Sequence, residues 1–191
     1  MNGVVISSLG SVSIWSKRSA WVAAMTLAAC GGAGGGETAP APTATVPPTT
    51  PPVVVAAPIV LPSDYKLVWA DEFTAAGLPD ASKWAYDTGR NKEGWYNNEK
   101  QYYSKARLEN SEVRDGKLVI MARKEKMTQQ ADWGGQAYSS ARLLTAGKQD
   151  WTYGFFEVRA KMPCGKGTWP AIWTLGSAQG AWPAIGELDI M

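Results

Sequence analysis

Phe156-Glu157-Val158-Arg159-Ala160-Lys161-Met162 decides the fold class, because apolar and charged residues take strict turns along it. A side-chain period of two belongs to a β-strand with one face on a core and the other in water, so Phe156, Val158, Ala160 and Met162 are expected inside. No comparably long segment carries the 3.6-residue period of an amphipathic helix. Tyr65-Lys66-Leu67-Val68-Trp69 is rich in β-formers, and Leu118-Val119-Ile120-Met121-Ala122-Arg123 follows an Asp115-Gly116 pair, a hairpin signal. Short strands separated by Gly, Asn, Asp and Pro turns predict an all-β sandwich or jelly roll over 63–191.

Composition narrows the chemistry. The 191 residues carry 19 Lys and Arg against 17 Asp and Glu, scattered and with no basic stripe among the aromatics, so nucleic acid is not an expected partner. Histidine is absent, which removes a Ser-His-Asp triad, a Cys-His pair and a His-ligated zinc site within these residues. Acid-base work then falls to carboxylates. Ten tryptophans supply flat rings that pack cores and also stack on sugars. Two cysteines, Cys30 and Cys164, are too few for a disulfide framework or a cysteine metal cluster, and no metal ligand set is expected.

Three regions follow from the change of composition along the chain. Residues 1–30 read as an export signal: Lys17 and Arg18 precede an apolar run from Ala20 to Ala29, too short to span a bilayer. Its end, Leu27-Ala28-Ala29-Cys30-Gly31, resembles the lipobox of bacterial lipoproteins, which implies lipidation of Cys30 and an exported domain anchored to the cell envelope. Residues 31–62 are Gly-rich and then Pro/Thr-rich, an extended linker without a core. The globular part is expected over 63–191.

The chemistry-bearing run is Gly186-Glu187-Leu188-Asp189-Ile190-Met191. Strand alternation puts Glu187 and Asp189 on one face with Cα atoms about 6.6 Å apart. Two like charges so close are tolerated on a solvated strand, or in a cleft where their repulsion tunes a pKa.

Around that run, Gly167-Thr168-Trp169-Pro170-Ala171-Ile172-Trp173 and Trp182-Pro183 precede it, and upstream stand Trp69-Ala70-Asp71-Glu72-Phe73, Asn97-Asn98-Glu99 with Gln101-Tyr102-Tyr103, Ser139-Ser140-Ala141-Arg142 and Tyr153-Gly154. In this order the blocks resemble glycoside hydrolase family 16, and within it the laminarinase-like endo-β-1,3-glucanases. The resemblance implies a concanavalin-like jelly-roll sandwich that cleaves internal β-1,3 or mixed β-1,3/1,4 bonds of a β-glucan with retention, acting as a monomer without a required cofactor. Matched to the family motif Glu-x-Asp-x-Met-Glu, Glu187 stands at the nucleophile and Asp189 at the assisting carboxylate. The motif's closing acid/base glutamate would follow Met191, so the chain by itself is expected to be an incomplete sandwich, lacking the C-terminal strands, with little hydrolytic activity. A bulge near Met191 is expected, to return that glutamate to the face of Glu187 and Asp189.

The same resemblance makes Trp169, Trp173 and Trp182 candidates for aromatic walls of a substrate cleft, and Arg142 with Asn97 or Asn98 polar residues of its non-reducing subsites. Glu99 is expected to pair with Arg142. Some members hold a structural calcium, for which Glu72 is a candidate ligand. Cys164 is expected to be a small buried residue. The rival reading of the same residues is a β-glucan-binding module without catalysis.

Overall fold

A computed structural model describes residues 3–5, 8–16, 60–61 and 63–191. Among them the chain forms twelve strands and no α-helix: β1 Gly3–Val5, β2 Ser8–Ser16, β3 Lys66–Asp71, β4 Ala85–Tyr86, β5 Gln101–Tyr103, β6 Ser111–Arg114, β7 Lys117–Ile120, β8 Tyr138–Ser140, β9 Leu143–Leu144, β10 Phe155–Ala160, β11 Ala171–Leu175 and β12 Glu187–Asp189. One sheet has the order β12-β11-β1-β9-β4, and a second runs β10-β2-β7-β6 with β3 also paired to β2. A short parallel pair, β5 with β8, stands apart. The all-β expectation is met.

Between the two sheets lie Val12, Phe73, Trp84, Val113, Leu118, Ile120, Ala141, Leu143 and Ile172, all buried. Alternation along a strand selects the side chains that enter this core: in β7 Leu118 and Ile120 are buried and Val119 is half-buried. Burying side chains of this size stabilises the fold by about 1.5–3 kcal/mol each. Trp84 enters this core with its indole N–H satisfied, donating to Asp71 Oδ2 at 2.7 Å. The Asp115-Gly116 pair closes the β6–β7 hairpin with φ of 52° and 67°, the left-handed pair that a two-residue turn matched to strand twist requires.

Strand β10 departs from its expected pattern at one end. Phe156 and Val158 turn inward and Glu157 and Arg159 outward, but Ala160 is exposed. The register against β2 shifts between Arg159 and Ala160, and an irregularity of that kind turns the following residue off its face. Met162 again packs on the core. Cys164 is exposed, not buried as expected, because it lies in the β10–β11 connection, just before a turn in which Thr168 Oγ1 donates to Gly165 O at 2.8 Å.

The stretch expected as an export signal contributes β1 and β2, with Val12 and Ile14 buried and Ser13 between them less so. That local alternation lets these residues pair with β10, β3 and β7. Cys30 and nearly all of the linker lie outside the described residues.

Candidate active site

The carboxylates reach their place through a hairpin. Strands β11 and β12 pair antiparallel, with Trp173 opposite Asp189, Thr174 opposite Leu188 and Leu175 opposite Glu187. Residues directly opposite share a face, so Glu187, Asp189 and Trp173 lie on one side of the sheet while buried Ile172 faces the core. The connection between these strands needs a glycine at Gly176, where a Cβ would strike the Ile185 carbonyl, and Gly176 N–H donates to Gly186 O at 3.0 Å. Glu187, Leu188 and Asp189 are all exposed.

Past Asp189 the alternation breaks. The N–H groups of both Ile190 and Met191 donate to Ile172 O, at 2.9 and 3.0 Å, while Ile172 N–H donates to Met191 O at 3.0 Å. Two residues opposite one is a β-bulge, and it resets which face the strand presents. The bulge expected near Met191 is present.

Across the same sheet Arg142 supplies a cation between two rings. Its guanidinium lies 4.9 Å from the Trp173 ring centroid and 5.0 Å from that of Trp95, a stack held by cation–π attraction on both faces. Asp87 fixes it from behind: Arg142 Nε is 3.2 Å from Asp87 Oδ2, a charge contact without hydrogen-bond alignment, and Asp87 N–H donates to Arg142 O at 2.9 Å. The ion pair expected with Glu99 is therefore replaced by one with Asp87. Glu99 is occupied elsewhere, accepting from Tyr103 Oη at 3.0 Å and Gln101 Nε2 at 2.5 Å.

Tyr103 is buried with its ring edge-on to Trp95 at 4.7 Å. Burial first, then the Glu99 carboxylate, pushes its phenol far above the ordinary tyrosine range, so it remains a hydrogen-bond donor. Trp95 is anchored in turn, its indole N–H donating to Asn91 Oδ1 at 3.1 Å.

Trp169 and Trp182 are 67 % and 65 % exposed and flank the Trp173 strand, one just before β11 and one in the β11–β12 connection. Among the described residues no ring pairing joins either to Trp173. Asn97 and Asn98 are exposed at the tip of the loop after Trp95, both left-handed at φ 57° and 58°. Ser13 Oγ donates to Glu72 Oε1 at 3.4 Å, and among the described residues no three His, Cys, Asp or Glu side chains gather.

Asp87 and Trp95 are site residues that sequence reading missed. Trp95 had a signal, as the immediate neighbour of the Tyr96-Asn97-Asn98 loop. Asp87 had none, since only sheet pairing brings it to Arg142, far along the chain.

A jelly-roll sandwich carrying a carboxylate pair beside a tryptophan and guanidinium wall defines a carbohydrate-active domain. The chain belongs to glycoside hydrolase family 16: the family described as "XgeA-like, catalytic GH16 domain" matches residues 93–191. A β-glucanase of Rhodothermus marinus is 53 % identical over 133 residues, 66 % of this chain and 43 % of that protein. The crystal structure of SCLam, a non-specific endo-β-1,3(4)-glucanase of the same family, superposes with a TM-score of 0.67 at 63 % identity, covering 71 % of this chain and 50 % of that one. A mutant of SCLam presenting 1,3-β-D-cellobiosyl-glucose at its active site gives 0.68 at 61 % identity, over 71 % and 54 %. The chain thus spans about half the length of the relatives it matches.

Proposed function

We propose that the protein carrying this chain hydrolyses internal β-1,3 or mixed β-1,3/1,4 glucosidic bonds with retention, with β-glucan as its substrate. The observation that carries this reading is the placement of Glu187 and Asp189 on the face that also bears Trp173 and, stacked on it, Arg142. Such a face can hold a pyranose by its C–H groups while a carboxylate meets the anomeric carbon. The oligosaccharide in the SCLam mutant supports the same substrate class.

In this mechanism Glu187 attacks the anomeric carbon as the glycosidic C–O bond breaks, and the leaving sugar departs with a proton from an acid. Water then cleaves the glycosyl ester to release the second sugar and free Glu187. Asp189, its neighbour on the strand, assists by holding the proton balance between the neighbouring carboxyl groups. A retaining enzyme also needs an acid about 5–5.5 Å from the nucleophile, across the scissile bond. Asp189 lies alongside Glu187, which suits it to assist and not to protonate the leaving oxygen.

The test is product analysis on laminarin with the protein that carries this domain. Release of reducing ends with retained anomeric configuration, lost by about a thousandfold in Glu187→Gln, is the expected result. Inversion, or full activity of the variant, would overturn it. Binding to laminarin without any cleavage would favour a glucan-binding module.

For delivery, the leader-like pattern and lipobox resemblance support export with lipid attachment at Cys30. Intact mass of the membrane-recovered protein should give a chain starting at diacylglyceryl-Cys30. Retention of residues 1–16, which form β1 and β2, would overturn that route.

A further inference from the structure

Tyr96 stands out because it is large, exposed and yet held. Its side chain is 60 % exposed, and the Arg90 guanidinium sits 4.4 Å from its ring centroid. Arg90 is itself fixed: its Nε donates to Gly94 O at 3.2 Å, and Gly94 N–H donates back to Arg90 O at 2.9 Å. One face of the ring is thus covered by a positioned cation and the rest is open to water. An aromatic ring already restrained in this way loses little freedom when it accepts a ligand.

The loop that presents Tyr96 is tied to the cleft wall at both ends. Trp95, on one side, is buried against Tyr103 and stacked on Arg142. Glu99, on the other, accepts from Tyr103 Oη and closes the loop by donating its N–H to Tyr96 O at 3.1 Å. Between these anchors Asn97 and Asn98 both take left-handed φ, an uncommon conformation for residues other than glycine, and two in succession cost energy that surrounding contacts must offset. The tip Tyr96-Asn97-Asn98 thus follows directly on Trp95, which shares the Arg142 guanidinium with Trp173.

We propose that Tyr96, backed by Arg90, is a stacking platform for an outer glucosyl residue of the β-glucan chain, beyond the sugars held by the Trp173–Arg142–Trp95 wall. The assignment rests on the glucan reading given above. A pyranose lays its axial C–H groups on the open part of the ring, and the exposed Asn97 and Asn98 amides beside it can meet hydroxyls in both donor and acceptor roles. The platform adds affinity for chains long enough to reach it and nothing for shorter ones.

Calorimetric binding of the full chain to a β-1,3-linked glucose disaccharide and hexasaccharide tests this. Tyr96→Ala should bind the hexasaccharide about fivefold more weakly while leaving the disaccharide unchanged. Tyr96→Phe should behave as wild type, since the ring and not the hydroxyl makes the contact, and Arg90→Ala should lose part of the hexasaccharide gain. Thermal unfolding should be unaltered in Tyr96→Ala because the side chain is exposed. Equal hexasaccharide affinity in Tyr96→Ala, or equal losses for both lengths, overturns the platform. A wild-type chain that binds neither sugar overturns the glucan reading itself, and the platform with it.

Discussion

The polar ground behind the cleft and the strand that carries the carboxylates are built on opposite terms. Behind the cleft, Asn91 is 1 % exposed and all its side-chain atoms are engaged: Nδ2 donates to Tyr103 O and Asp132 Oδ2, while Oδ1 accepts from Trp95 Nε1 and Tyr103 N–H. Asn110 forms a second hub, accepting from Ser104 and Arg107 and donating to Met121 O and Ser139 Oγ. On β12, by contrast, Glu187, Leu188 and Asp189 lie exposed at the edge of a sheet. Buried polar groups cost heavily unless fully paired, and once paired they fix geometry. The rigid ground positions Trp95, Tyr103 and Arg142, whereas the carboxylates of Glu187 and Asp189 face solvent on the side of the sheet that bears Trp173.

The largest way to break this contrast is Asn91→Ala. It orphans several buried partners at once and should lower unfolding free energy by about 3 kcal/mol, seen in urea denaturation. Asp132 feels the same network: burial pushes its carboxyl up, but the hydrogen bonds from Asn91 and Tyr102 outweigh that and hold it below its usual value. Tyr102 moves the other way, pushed up to about 12 by burial and by its bond to Asp132.

Next in size is Arg142→Ala, which separates Trp95 from Trp173 and leaves Asp87 without its cation. A loss of about 2 kcal/mol in stability is expected, together with roughly tenfold weaker laminarin binding by affinity electrophoresis. Unchanged binding would detach the stack from the cleft.

A smaller effect is expected from acid. Glu125 is held below the ordinary carboxylate range by its hydrogen bonds from Arg107 first and Ser139 second. A group whose folded pKa is depressed contributes stability that is full above its unfolded value and is lost as pH falls through the folded one. Melting temperature followed downward from neutral pH should fall across the carboxylate range, and Glu125→Gln should flatten that fall while lowering stability at neutral pH.

The smallest stability change belongs to Trp169→Ala and Trp182→Ala, within about 0.5 kcal/mol of wild type by thermal unfolding, because neither ring is buried. Weaker laminarin binding with unaltered stability would place them in the cleft. A large loss of stability would make them packing residues after all.

Much of the architecture was legible in the sequence because strand signals are local. The alternation at Phe156 to Arg159 and the Asp115-Gly116 turn needed no partner to be read, and the bulge at Ile190 and Met191 followed from the family motif. Ala160 and Cys164 were misplaced for the converse reason. A register shift against β2 and an exposed turn depend on what lies alongside, which periodicity does not contain. The candidate site divides the same way: the shared face of Glu187 and Asp189 was legible, whereas the meeting of Asp87 with Arg142 was not.

By itself the sequence determined that this is an all-β domain and that two carboxylates share a strand face. Those conclusions rest on side-chain chemistry and a two-residue period, both encoded along the chain. The tertiary structure alone decided that Arg142 pairs with Asp87 and not with Glu99, that it meets the rings of both Trp95 and Trp173, and that Arg90 covers one face of Tyr96. Ion pairs and ring stacks are interactions across space, and sheet pairing, which joins residues far apart in the chain, determines which of the available partners meet.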